Sequence, residues 1–267
     1  KFKVAELPTS NINYESFRNG SADISTLTLD ETLQLFSEGI QMRILIAMDI
    51  SNGSDIVMAN PKVVKKLSDI KGKRVLIANT SLGAYILDRL LEKANLKSSD
   101  ITILHSSEDK HPKLYKDNKA DIVVTFEPFA SKIRNHGAVK IFDSSNIPNE
   151  IFDVLVVREN IYETRKQEIC DLGRQWFKTL DYMKSHAPET SIQIAKRMGS
   201  NTQEYKSMMK GLIVPDRKMN DKLFTGPSPL LQKAISKLAS TMIAGKMITN
   251  MPNTHLLTDP NFLECTK

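Results

Sequence analysis

The chain has 267 residues, 40% hydrophobic and 25% charged, with a formal net charge of +6 at pH 7, the composition of an ordinary globular protein with room for one large or two modest domains. No apolar run reaches the roughly 18 residues of a membrane span. Lysines are spread among acids with only 6% aromatic residues, which excludes the basic stacking platform of a nucleic-acid binder and leaves small anionic ligands as the use of the excess charge.

Phe2 to Ala5 is read as alternating apolar and polar, and the run up to Leu7, stopped by Pro8, predicts a short strand. A helix over 11–19 stops at Gly20, a strand follows over 23–27, and Thr28-Leu29-Asp30-Glu31 reads as a capping box that opens a helix reaching Gly39. Strands are expected over 43–48 and 55–59, separated by the polar turn Asp49-Ile50-Ser51-Asn52-Gly53. A short helix over 62–67 and a strand over 74–78 come next. The small residues Asn79-Thr80-Ser81-Leu82-Gly83 then open a helix whose first N–H groups are unscreened. Strands at 101–105, from Ile122, at 139–142 and at 153–157 alternate with helices through Leu114 and over 128–135. This alternation predicts a doubly wound lobe. Beyond residue 158 the pattern is helical, over 165–186, 188–198, 202–211 and 229–245. Cys170 and Cys265 form no metal or redox spacing, and no disulfide framework is expected.

One phrase occurs twice. Phe17-Arg18-Asn19-Gly20-Ser21-Ala22-Asp23-Ile24 returns as Tyr115-Lys116-Asp117-Asn118-Lys119-Ala120-Asp121-Ile122. In each, an aromatic and a cation close a helix, a polar turn follows, and Ala-Asp-Ile opens a strand. The strands run into Ser25-Thr26-Leu27-Thr28 and Thr125-Phe126-Glu127-Pro128, so small hydroxyls stand at carboxyl ends, where open α/β sheets hold ligands. Two such edges predict two lobes clamping a small molecule.

The string Leu67-Ser68-Asp69-Ile70-Lys71-Gly72-Lys73-Arg74-Val75, the helix start Ser81-Leu82-Gly83 and the segment Ala120-Asp121 to Pro128 occur in that order, followed by Asp143-Ser144-Ser145, Pro148 and Asp153-Val154-Leu155-Val156-Val157. With this order the chain, from Val4 to Phe262, resembles the periplasmic solute-binding proteins of ABC importers in the nitrate, sulfonate, taurine and thiamine-precursor group. The resemblance implies the α/β, two-lobed type II periplasmic binding protein fold: doubly wound lobes joined by hinge strands, closing on ligand, with a helical C-terminal portion. It implies lobe I over 1–58 and 154–267 and lobe II over 59–153, and it implies a first strand and helix that this sequence lacks. The ligand-binding residues it implies are Thr26, Leu27, Thr28, Asp49 and Ser51 on one side and Ser81, Leu82, Gly83, Thr125, Phe126 and Glu127 on the other. Asp153 is implied as a hinge or cleft carboxylate.

Read as residues, Ser81-Leu82-Gly83 can hold a sulfonate, carboxylate or phosphate on N–H groups, or simply cap a helix. Thr28 has a capping role, Phe126 suits a core, and Asp49 and Asp153 suit hinge hydrogen bonds. Glu127 can meet an amine or ring N–H or remain a surface charge. The five histidines lack metal spacing, Gly72-Lys73 lacks the frame of a P-loop, and no nucleophile motif is present. No metal, cofactor or nucleic acid is expected. Eukaryotic thiamine-pyrimidine synthases resemble this fold, but their cysteine cluster has no counterpart at 125–130, so no enzyme activity is expected. The chain opens at Lys1-Phe2-Lys3 with no signal peptide, which leaves the compartment unreadable from the residues themselves; the resemblance implies a monomeric periplasmic or extracytoplasmic protein, open to lipid anchoring. It is expected to bind a small anionic or zwitterionic organic solute, a sulfonate, taurine or pyrimidine-like nitrogen compound, and to deliver it to an ABC permease. The alternative is the ligand-sensing periplasmic domain of a membrane receptor kinase or cyclase.

Overall fold

The computed structural model describes residues 2–251 and 253–267; Lys1, where the first lobe is expected to start, and Pro252 lie outside the described residues. The chain forms two compact units, unit 1 from residues 1–50, 150–206 and 213–267, and unit 2 from residues 51–149 and 207–212. The strands are β1 (Ile24–Thr28), β2 (Met42–Ser51), β3 (Asp55–Ala59), β4 (Arg74–Ile77), β5 (Thr102–His105), β6 (Ile122–Phe126), β7 (Val139–Asp143), β8 (Phe152–Arg158) and β9 (Leu212–Ile213).

Unit 1 is built on the sheet β1-β8-β2-β9, in which β8 runs antiparallel to both β1 and β2. Seven of the ten residues of β2 and five of the seven of β8 are buried, so the centres of these strands, Ile44–Ala47 and Val154–Val157, read as apolar runs rather than as alternation. Helices Ser10–Arg18, Leu29–Ser37 and Leu230–Ala244 place Phe17, Leu33, Leu35, Leu231 and Ile235 in the core. The Thr28 capping box forms as the sequence predicts, with both reciprocal bonds to Glu31. Four expectations fail. Residues 2–7 form no strand, since they find no ladder partner and Val4 is 92% exposed. Asp49 and Ser51 do not lie in a turn but continue β2, which passes a register shift between Ala47 and Asp49. A helix over Arg217–Phe224 forms where none is expected, opened by Asp216, whose side chain accepts from the Met219 N–H. Finally, Cys170 and Cys265 are joined in a disulfide, because helix Lys166–Ser185 and the turn Phe262–Thr266 bring their Cα atoms to 5.5 Å across 95 residues of chain.

Unit 2 is built on the sheet β5-β4-β6-β3-β7. β4 is parallel to β5 and β6, while β3 is antiparallel to β6 and β7. Thus β4 to β7 all point one way and β3 alone is reversed. Met58, Leu76, Val123, Ala130 and Ile133 form its core with Tyr115. The predicted helix at 62–67 is absent: the Val63 and Val64 N–H groups both donate to Asn60 O, and the Asp69 carboxylate takes the Lys65 and Lys66 N–H groups. The segment instead enters the short 3-10 turn Leu67–Ile70.

The repeated phrase falls once in each unit. At its fourth position Gly20 has φ 84° and Asn118 φ 54°, the left-handed conformation that ends a helix. Gly20 N–H donates to Phe17 O, and Asn118 N–H to Tyr115 O.

Candidate functional site

The carboxyl ends of β4, β5, β6 and β7 and the amino end of reversed β3 form one edge of unit 2. Ser51 lies here rather than with the first set of expected contacts. Its buried Oγ is 2.7 Å from Ser144 Oγ and accepts the Asp55 N–H at 3.2 Å, while Ser144 Oγ accepts the Gly53 N–H at 2.6 Å. Ser144 was legible in the Asp143-Ser144-Ser145 string but was not among the expected site residues. It opens the turn Ser144–Asn146, capped by Asp143, whose Oδ1 accepts the Ser145 N–H at 2.9 Å. Burial pushes the Asp143 carboxyl up, but the Lys140 ammonium and the Ser145 donors outweigh it and hold the group below its ordinary value.

Helix Ser81–Ala94 starts at the same edge, with Ser81 and Leu82 half-buried in its first turn. Its N–H groups are not all free for a ligand, because Thr80 Oγ1 accepts the Gly83 N–H at 3.2 Å. Gly83 serves packing instead: a Cβ there would stand 2.8 Å from Ala78 O, so only glycine lets the helix lie against the end of β4. Gly83→Ala should therefore lose up to about 2 kcal/mol in urea unfolding. Overpacking against rigid backbone costs about 1–3 kcal/mol, which outweighs the ~1 kcal/mol of helix preference gained. An unchanged or higher midpoint would show that the strand end gives way.

Thr125 pairs with Ile56, and Phe126 with Asp55, across β6 and β3. Two residues past the Leu76–Val123 pair, Thr125 is level with the end of β4. Its side chain is buried, 3% exposed, and Oγ1 has no hydrogen-bond partner among the described residues. Phe126 is half-buried, edge-on to Phe129 at 5.5 Å. Glu127 is already engaged: Oε2 accepts the Ser131 N–H at 2.9 Å, and Oε1 lies 3.6 Å from Arg134. The carboxylate thus caps helix Phe129–Arg134 and pairs with its last residue. Nearby, His111 is fully buried, with Nε2 3.3 Å from Ser106 O. Burial pushes its imidazole below its ordinary value, so it is neutral at pH 7.

The remaining expected residues lie in unit 1, on one sheet. Asp153 stands opposite Thr28 on β1 and opposite Asp49 on β2, which aligns the three across the strands. Asp49 and Asp153 are half-buried. Leu27 is a core residue, 2% exposed, and the Thr28 hydroxyl is held by its cap. Thr26 is exposed, and its carbonyl accepts from Asn13 Nδ2 at 2.6 Å. Among the described residues no group of three or more His, Cys, Asp or Glu could hold a metal ion, and no helix is long and apolar enough to cross a membrane.

A family model described as NMT1/THI5 like matches residues 4–190. No curated protein matches the sequence. Among solved structures, the chain is similar to the periplasmic aliphatic sulphonate binding protein SsuA from Escherichia coli, with TM-score 0.76 and 13% identity over 94% of this chain and 79% of that one. It is similar to the alkanesulfonate-binding protein SsuA from Xanthomonas axonopodis pv. citri bound to MOPS, with TM-score 0.77 and 14% identity over 96% and 87%. It is also similar to a mutant of the desulfurization enzyme DSZB in complex with biphenyl-2-sulfinic acid, with TM-score 0.70 and 10% identity over 97% and 96%. These likenesses establish the fold, the mixed α/β architecture of two-lobed periplasmic binding proteins.

Proposed function

The chain belongs to the NMT1/THI5-like family, and from that premise we propose that it is an extracytoplasmic binding protein that captures a small anionic or zwitterionic organic solute, such as a sulfonate, taurine or a pyrimidine-like nitrogen compound, for an ABC importer. The observation that carries this reading is the Thr125 hydroxyl, buried without a partner at the carboxyl edge of unit 2. Buried polar groups in folded proteins are nearly always satisfied, and an orphan at a ligand edge points to a guest that supplies the missing bond. The first turn of helix Ser81–Ala94 supports the same assignment with its positive end. In this reading Ser81, Leu82, Thr125 and Phe126 touch the solute, while Gly83 and Glu127 shape the site through the strand and helix they hold.

Binding is favoured over thiol chemistry because both cysteines are joined, which leaves no thiol nucleophile. The same disulfide supports an oxidising, extracytoplasmic setting.

A thermal-shift screen of sulfonates, taurine, pyrimidines and amino acids tests the reading, since a ligand at 100 times its Kd adds about 2.7 kcal/mol to stability. Thr125→Val then places the site. Removing an unsatisfied buried hydroxyl at constant shape should stabilise the unliganded protein by about 1 kcal/mol and weaken the identified solute about tenfold. A variant that binds the solute as tightly as the parent does would refute the assignment of Thr125.

A further inference from the structure

The net charge is not shared between the units. Unit 2 holds 17 Lys and Arg against 11 Asp and Glu, which is the whole excess of +6, whereas unit 1 balances at 20 against 20. The sheet of unit 2 ends at β7, whose ladder bonds go to β3 alone. Among the described residues, its other edge has no backbone partner at 139–141. On β1, one edge of the other sheet, the Asn13 side chain accepts the Ser25 hydroxyl and donates to Thr26 O.

Val139, on the open edge, is 43% exposed, and beside it lies a cavity of about 640 Å³ lined by Pro61, Val64, Lys65, Lys66, Val139 and Ile141, among others. The pairing with β3 shifts register between the Val57–Phe142 and Met58–Lys140 pairs, which leaves Ile141 as the extra residue of a bulge, and Lys140, paired to Asp143, lines the same cavity. Asp69 Oδ2 accepts the Lys65 N–H at 2.9 Å and the Lys66 N–H at 3.1 Å. It thereby fixes the loop with both lysines exposed beside the groove.

We propose that the β7 edge is a docking site for an acidic, extended segment of a partner protein, which adds as a strand at residues 139–141 and sets its carboxylates against Lys65 and Lys66. Unpaired N–H and C=O groups supply the strand-addition bonds, and the side chains of the added strand that face the cavity lie beside Val139, Lys65 and Lys66. The lysines select the occupant. A second copy would bring two lysine clusters together, and a neutral strand would leave them uncompensated, so the same charges that admit an acidic strand exclude the others.

The test uses the full chain and a fluorescent, end-blocked octapeptide of alternating glutamate and valine, read by anisotropy, with lysine–valine and alternately N-methylated glutamate–valine peptides beside it. The acidic peptide should bind, and raised salt should weaken it. Lys65→Glu with Lys66→Glu should reduce affinity about tenfold or more. Lys116→Glu with Lys119→Glu makes the same change of net charge at exposed positions elsewhere on unit 2, and should stay within about threefold of the parent. The proposal is overturned by no binding, by equal loss in the two double variants, by equal binding of the lysine–valine or N-methylated peptide, or by a dimer in sedimentation that the Lys65→Glu, Lys66→Glu variant strengthens.

Discussion

Asn220→Ala should lower the unfolding free energy by about 3–5 kcal/mol, a large share of the roughly 5–15 kcal/mol of a typical domain. Asn220 is 0% exposed on helix Arg217–Phe224. Its Oδ1 accepts the Ala47 N–H at 2.9 Å, and its Nδ2 donates to Ala47 O at 3.1 Å and to Pro215 O at 3.1 Å. Ala47 lies on β2 just before the register shift at Asp49. The side-chain amide therefore acts as a substitute strand, giving β2 one donor and one acceptor where the ladder is interrupted. Alanine would leave both backbone groups buried and unpaired, at about 1–3 kcal/mol each. Urea unfolding should show a lower midpoint with an unchanged slope. Asn220→Asp separates hydrogen bonding from volume. It keeps the shape but sets a carboxylate oxygen against the Ala47 and Pro215 carbonyls, so at pH 7 it should cost at least as much as alanine. Burial among acceptors raises the new carboxyl in the folded state, so that loss should shrink as pH falls toward its protonated form. A loss under about 1 kcal/mol for both variants would mean that water reaches Ala47.

Such features explain what the sequence could and could not show. The capping box at Thr28, the left-handed turns at Gly20 and Asn118, and β3 at Asp55–Ala59 are settled by residues within a few positions of each other, and each was legible. Residues 2–7 carry a good strand pattern, but a strand exists only where another offers a ladder, which no local pattern reports. Helix Arg217–Phe224 has its Asp216 cap in plain view, yet its polar face includes Asn220, buried for the sake of a strand 173 positions away. At the candidate edge, residue types were legible and their roles were not. Gly83 looks like an opening for a ligand but answers to Ala78, and Glu127 looks free but answers to Ser131 and Arg134. Thr125 looks like any strand threonine until its neighbours leave it without a partner.

The disulfide shows the same limit of local reading and carries the second large effect: Cys170→Ser with Cys265→Ser should cost about 3–5 kcal/mol. Cross-linking residues 95 apart restricts the unfolded chain over a long loop, and loops of about this length give roughly 4–5 kcal/mol in the chain-entropy account. The folded side of the balance should change little, because the turn Phe262–Thr266 has other anchors. Arg174 donates to Cys265 O at 3.0 Å and Lys267 O at 3.2 Å, and Arg217, stacked on Phe177 at 4.6 Å, donates to Leu263 O and Thr266 O. Gly173 lets the turn lie flush, since a Cβ there would meet Thr266 at 2.7 Å. The double variant should therefore unfold earlier while keeping the near-native protease resistance of this turn under folding conditions. Reductant should bring the parent down to the variant's stability and leave the variant unmoved. A parent indifferent to reductant would show that the bond does not form. A variant whose turn is cleaved at once would show that the bond holds the folded turn in place rather than restricting the unfolded chain.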